Sequence, residues 1–489
     1  MNTQSNVPTN ARHWIGGAWV SSAKTGVSIS PSTGEKLGTY ADGGRAEAET
    51  AIAAARRAFD TTSWSRDRKL RAAALSELAD RLIERAEILG RTLAREAGKV
   101  ITQATMEATF TPQTLRHNAG LALAQLGGAA ELAPGVLATS WHEAIGVAGL
   151  IVPWNSPIAL LLRALGPALA AGCTTVVKMP AQTALTNGLV MEALEATKSL
   201  PPGVVNMFTE SGNEGAPFMV SSPDVDVINY TGSTPVGRRI AEQAAQTLKR
   251  CTLELGGKTP LVVFDDTNAE EVAPLVVQAL TQFNGEFCMC GSRVLVQESV
   301  AESYRRALVE LLGRVVIGPA DDPASQMGPL VDRVNAERVE RFVQDAEKYS
   351  RVLLRGGLIT EGPLAKGAFF RPAMLEPNSL DSPLVQKEVF APVLSFETFK
   401  DEADALRRAN ATEFGLSAAV FTADRSRAHR VAQGLKAGTV WTNTWGVFDD
   451  MFPEGGYKQS GVGRARGPKA LEEFQEVKTR IELVAPLKP

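Results

Sequence analysis

The chain has 489 residues, enough for two or three domains with sizeable cores. Hydrophobic residues make up 44% and charged residues 21%, a globular mixture that excludes a largely disordered chain, a collagen or a coiled-coil rod. With 51 Lys plus Arg against 54 Asp plus Glu the formal charge is -3, which gives no electrostatic basis for bulk nucleic-acid or anionic-membrane binding.

In chain order, residues 45–59 form an Ala-rich helix candidate, and 66–97 read as one or two amphipathic helices, with Leu70, Leu75, Leu78, Leu82, Ile83, Leu89 and Leu93 at mostly helical spacing. Strands are expected at 145–152, 174–178, 204–208, 225–230 and 261–264. Between them lie helices at 158–171, 186–199 and 235–248. The pattern restarts with strands at 293–297, 352–354, 393–396, 418–421 and 439–441, and helices at 301–313 and 335–349. Such alternation predicts parallel sheets covered by helices, in two lobes with a cleft between them. Residues 474–484 alternate as a strand, which must join either a sheet of its own chain or that of a neighbouring subunit.

Four cysteines are too few for a disulfide scaffold in a chain of this length. The polar start MNTQSNVPTN lacks the cationic end and apolar run of a secretory signal. The most apolar region, 144–173, is broken by Pro153, Asn155, Pro157 and Arg163, so no uninterrupted run is long enough to span a bilayer. A cytoplasmic, reducing setting is expected, with neither membrane nor nucleic acid as a partner.

Several segments carry possible chemistry. GKT at 257–259 is not a P-loop, because Thr252 stands where that motif needs a glycine. GSTPVG at 232–237, between a strand and a helix, is either a simple turn or a phosphate-holding helix start; no GxGxxG accompanies it. Cys288 and Cys290 lie in FNGEFCMCGSR, and the four histidines form no metal-ligand pattern with them, so no metal is expected. Either cysteine could be a buried small hydrophobe; the functional alternative is a thiolate nucleophile. Glu254, among Leu253, Leu255 and glycines, is either a general base with a raised pKa or a paired carboxylate. Asn155 in PWNSP is either a turn residue or an amide donor to an oxyanion.

Taken together, VPWNSP, YTGSTPVG, LELGGK, GEFCMCGSR, KEVFAPV and PEGGYKQSGVGR resemble, in order and spacing, the aldehyde dehydrogenase superfamily of the NAD(P)-dependent, non-acylating type. The resemblance runs from about Trp14 to Leu483. It implies two α/β domains with parallel sheets, a variant Rossmann cofactor domain and a catalytic domain, with a small β oligomerisation element. The implied boundaries are 1–124 and 144–256 for the NAD(P)-binding domain, 257–460 for the catalytic domain, and 125–143 with 474–489 for the oligomerisation element of a homodimer or homotetramer. The implied reaction oxidises a small-molecule aldehyde to the acid: Cys288 attacks the carbonyl, Asn155 and the Cys288 N–H hold the oxyanion, and Glu254 activates the water that hydrolyses the thioester. A CoA-acylating relative and a non-redox thiol hydrolase are the alternatives.

The resemblance further implies that Lys178 meets the adenosine ribose, Ser233 the pyrophosphate and Glu388 the nicotinamide ribose. Phe390 packs beside the ring, and Gly232 and Trp154 shape the cleft. Ala181 stands where a ribose-binding Glu is usual, which keeps NADP open beside NAD. Glu286 replaces a usual Gln and Ala391 a usual Gly. An apolar substrate tunnel with a polar rim is expected from Phe110, Ser156, Phe287, Met289 and Phe448. Arg163 and Glu454 either recognise a polar substrate or pair with each other across the entrance.

Overall fold

The computed structural model describes residues 8–124 and 127–484. An eight-stranded sheet runs in the order Gly461–Val462, Arg250–Glu254, Val227–Thr231, Val147–Ile151, Thr174–Pro180, Val205–Glu210, His13–Ile15 and Ala18–Val20. Its five middle strands are parallel and the short outer ones antiparallel. Val147–Ile151 is buried at every position, as a strand covered on both faces must be. Its side chains alternate between two cores. Ala148 and Leu150 pack with the helices Arg68–Ile83 and Pro157–Ala171, whereas Val147 and Ile151 pack with Arg45–Thr61.

The strand order grows outward in both directions from Val147–Ile151 and its neighbour Val227–Thr231. The chain therefore leaves the carboxyl ends of these two strands toward opposite sides, which opens a crevice there.

The second large sheet has the order Ser350–Leu354, Ala373–Pro377, Val393–Phe399, Arg293–Gln297, Pro260–Val263, Ser417–Phe421 and Thr439–Thr442, parallel except for its first pair. A third sheet is antiparallel, with Val136–Ala144 between Gly128–Ala133 and Gln475–Leu483. The terminal strand thus finds its partner in its own chain. Residues 125–126 and 485–489 of the expected oligomerisation element lie outside the described residues.

The anticipated strands and helices of both lobes are present with ends shifted by a few residues, and 66–97 is two helices, Arg68–Ile83 and Ala86–Ala97. Elements that the pattern did not announce include the helix Ile101–Phe110 and the strand Lys24–Ile29. The first is Thr-rich and is held by packing of Ala104 and Ala108. The second buries only Ser28, so it carries no apolar alternation. Among the described residues no helix is long and apolar enough to cross a membrane.

Candidate active site

Strand register brings distant segments together. Lys178 is paired with Ile151, Ile151 with Tyr230, and Thr231 with Glu254. The four carboxyl ends lie side by side, so the loops bearing Asn155 and Ser233 emerge between Lys178 and Glu254.

The Asn155 loop is clamped from below. Glu107 Oε1 accepts from the N–H groups of Ile158 and Ala159, both at 3.0 Å, which caps a helix whose first residue is Pro157. Lys99 pairs with Glu107 and donates to Ser156 Oγ at 2.7 Å. Asn155 Nδ2 donates one hydrogen to the Glu286 carbonyl at 2.9 Å, leaving its second hydrogen for another acceptor. Ser156, expected as a small wall residue, is part of this buried clamp while also bordering the cavity.

The segment that carries Cys288 is equally constrained. Phe283 and Asn284 take left-handed backbone angles, φ 50° and 59°. Asn284 holds the turn by donating to the carbonyls of Gly98 and Pro329, both at 2.8 Å. Glu286 Oε1 accepts from Val331 N at 3.1 Å and Asn335 Nδ2 at 2.9 Å. The unusual Glu286 therefore ties the cysteine loop to the helix Arg333–Ala346. Cys290 is buried, with its sulfur directed at the Leu280 carbonyl.

Asn155 and Cys288 border one cavity of about 410 Å³, together with Phe110, Ser156, Arg163, Phe287, Met289, Phe448 and Glu454. Phe283, Trp445 and Arg466 also border it and were not anticipated, because nothing in their local sequence marks them. Met289 is only 1% exposed and packs mainly into the core of the second sheet. Glu254 lies in a small adjoining pocket, and Arg163 borders both spaces.

The expected polar rim is inverted. Exposed Met106, Phe110 and Phe448 form an apolar mouth, whereas Arg163 and Glu454 are buried and paired with each other inside. Arg466 Nε also reaches Glu454, at 2.8 Å. The reason is desolvation: a buried carboxylate needs cationic partners, and the fold supplies two.

Burial pushes Glu254 up to about 8; Arg163 opposes this and Glu454 adds to it. Its Oε1 is buried and makes no hydrogen bond. Burial likewise lifts the Cys288 thiol to about 12, with Arg163 again opposing. Glu388 is lifted to about 7 by burial, against the Gly257 N–H that donates to it at 3.0 Å.

Of the residues expected to hold a dinucleotide, Lys178, Gly232 and Ser233 lie at the carboxyl ends of strands of the first sheet, while Glu388 contacts Gly257 and Phe390 contacts Trp154. The Lys178 ammonium makes no side-chain hydrogen bond or ion pair among the described residues; burial lowers its pKa, while Glu210 and Asp42 nearby raise it. Ser233 caps the helix Thr234–Ala244 by position without a side-chain bond to it, so the amide donors of the first turn are not used by that side chain. A Cβ at Gly232 would lie 2.2 Å from the Tyr230 hydroxyl, so any larger residue there requires the Tyr230 ring to move. A Cβ at Gly256 would lie 2.4 Å from Glu388 Oε2, so Gly256 admits that carboxylate. Phe390, at φ 55°, meets Trp154 edge to face at 5.7 Å and is not core.

A thiol and an amide donor on one cavity, with a buried carboxyl in the adjoining pocket at the carboxyl ends of a parallel sheet, fit the expected site of an aldehyde-oxidising enzyme. The aldehyde dehydrogenase family model matches residues 19–480, and the chain belongs to that family. It is 37% identical to an aldehyde dehydrogenase of Enchytraeus buchholzi over 463 residues, 94% of this chain and 92% of that one. It is 34% identical to 2-aminomuconic semialdehyde dehydrogenase of Mus musculus, covering 96% and 97%. A betaine aldehyde dehydrogenase structure from Staphylococcus aureus in complex with NAD+ superposes with a TM-score of 0.94 at 33% identity, covering 98% of this chain and 96% of that one. The protein is an NAD(P)-dependent aldehyde dehydrogenase.

Proposed function

We propose that the enzyme oxidises an aldehyde to the free carboxylic acid through a thioester on Cys288. The observation that carries this reading is the placement of Cys288 and Asn155 in one cavity, with the raised carboxyl of Glu254 in the adjoining pocket. Cys288 reacts as its thiolate, a minor form because burial lifts the thiol to about 12: the thiol gives its proton to solvent water, the sulfur bonds to the carbonyl carbon, and the C=O electron pair moves onto the oxygen. The Asn155 hydrogen not used by Glu286, together with the Cys288 N–H, holds the resulting oxyanion; one such donor contributes about 3 kcal/mol in the transition state. NAD(P), when bound, supplies the two-electron acceptor. Glu254 takes a proton from the water that releases the acid, a task for which a pKa near the working pH is suited.

Lys178, Ser233 with the first turn of its helix, and Glu388 would hold the dinucleotide, Lys178 at its adenosine ribose, Ser233 at its pyrophosphate and Glu388 at its nicotinamide ribose, and Trp154 and Phe390 would border its ring. We favour NAD over NADP: although Ala181 brings no carboxylate, Glu210 and Asp42 already place negative charge near Lys178, which opposes a 2′-phosphate. The domain division at 257 follows the two large sheets. The three-stranded sheet exposes Leu132, Leu137, Val477, Ile481 and Leu483, which supports its use as the contact of a homodimer or homotetramer. Four free cysteines fit a reducing cytoplasm.

The test mixes enzyme, aldehyde and NAD or NADP with and without CoA. Reduced nicotinamide and free acid formed without CoA are expected. A strict CoA requirement would support the acylating alternative, and ester hydrolysis without reduced nicotinamide the hydrolase.

A further inference from the structure

The charges inside the cavity cancel. Glu454 is held by Arg163 on one oxygen and by Arg466 on the other. Arg466 also pairs with Asp450, and Asp450 accepts from Thr114 Oγ1 at 2.8 Å. Arg163 gives its other terminal nitrogen to Thr231 Oγ1 at 3.0 Å. Two cations therefore face two carboxylates, and every one of the four has a partner. The neighbouring Lys99 and Glu107 form a further neutral pair.

The walls above this floor are aromatic. Phe287 meets Phe283, Trp445 and Phe448 with ring centroids 5.2, 5.9 and 6.4 Å apart. Two of these rings already serve cations of the protein itself: Lys99 Nζ lies 3.7 Å from the Phe283 centroid, and the Arg466 guanidinium 5.9 Å from that of Phe448. An aldehyde carrying an ammonium group thus meets no unpaired carboxylate among the residues that border this cavity, and two of the ring faces it would need already hold Lys99 and Arg466. One carrying a carboxylate finds no unpaired cation. What the cavity offers is about 410 Å³ of mostly apolar space bordered by these rings and by Cys288.

We propose that the substrate class is an uncharged aryl aldehyde, its ring held by Phe287, Trp445 and Phe448 and its carbonyl directed at Cys288. This rests on the oxidoreductase reading above and adds the nature of the group attached to the carbonyl. Relatives named for a betaine aldehyde and for a semialdehyde carrying further polar groups share the fold, so selectivity here resides in these side chains and not in the backbone.

The experiment compares kcat/KM with NAD for benzaldehyde, propanal, betaine aldehyde and succinic semialdehyde. Benzaldehyde is expected to exceed propanal by about tenfold or more, and each charged aldehyde by about a hundredfold. Phe448→Ala should bring benzaldehyde and propanal near parity by raising KM for benzaldehyde. Glu454→Gln leaves Arg466 with Asp450 but removes the carboxylate partner of Arg163, and should shift the ratio of succinic semialdehyde to benzaldehyde upward by about tenfold. Should Glu454→Gln fail to fold, the wild-type panel and Phe448→Ala decide. A higher kcat/KM on either charged aldehyde than on benzaldehyde, or an aryl preference that survives Phe448→Ala, overturns the assignment while leaving aldehyde oxidation intact. Absence of NADH with all four aldehydes overturns the oxidoreductase reading itself, and this inference with it.

Discussion

At pH 7 the form of Glu254 that can accept a proton from water is the rarer one. With its pKa pushed up to about 8, about one molecule in ten carries the ionised carboxylate at pH 7, half at pH 8 and about nine in ten at pH 9. Thioester hydrolysis through this group should therefore rise about tenfold between pH 7 and 9. Glu254→Gln keeps the size of the side chain and removes the base. Stopped-flow absorbance should then record a first turnover of about one NADH per active site, followed by a steady rate lower by about a hundredfold or more and nearly flat with pH. Mass spectrometry should find acyl groups on Cys288 under turnover. The same shift has a consequence for stability. Because the folded pKa lies above the ordinary value of 4.5, the folded chain holds this proton more tightly than the unfolded one. The associated stabilisation is complete below about pH 4.5 and is lost as pH rises through about 8. Wild-type thermal midpoints should thus fall from pH 6 to pH 9 more than those of Glu254→Gln. A variant with wild-type steady turnover and no acyl-enzyme would remove Glu254 as the base.

Cys288→Ala should abolish oxidation while NAD still binds, measured by fluorescence titration; residual turnover above background contradicts the nucleophile assignment. Cys290→Ser should retain most activity, since that sulfur is buried against the Leu280 carbonyl and does not border the cavity. Asn155→Ala should lower kcat by about a hundredfold with little change in NAD affinity, and an unchanged kcat would sink the oxyanion role. On the coenzyme, kcat/KM should favour NAD over NADP in parallel assays; an enzyme equally efficient with both would show that Glu210 and Asp42 do not oppose the 2′-phosphate.

The α/β class was legible because buried parallel strands such as Val147–Ile151 and Pro260–Val263 are apolar at every position, and that signal is local. Asn155, Glu254 and Cys288 stood out through motifs whose residue types suit a single chemistry, and the fold brings Asn155 and Cys288 to one cavity and Glu254 to the adjoining pocket. Lys99, Glu107 and Arg466 were not. Each looks like an ordinary surface charge until packing removes its water, after which Glu107 becomes a helix cap and Arg466 a counterion. The apolar mouth was misjudged for the same reason: Arg163 and Glu454 are individually hydrophilic, and only their pairing lets both lie inside.

Local patterning and motif chemistry were thus contained in the linear chain, since periodicity and residue type act over a few positions. Strand order, and with it the meeting of the loops after Ile151 and Thr231 at one crevice, was decided by tertiary structure. So were the neutralised floor and aromatic walls of the cavity. These depend on contacts between residues far apart in the chain, such as Arg163 with Glu454, 291 positions on, whose energies arise only once folding has excluded the water between them.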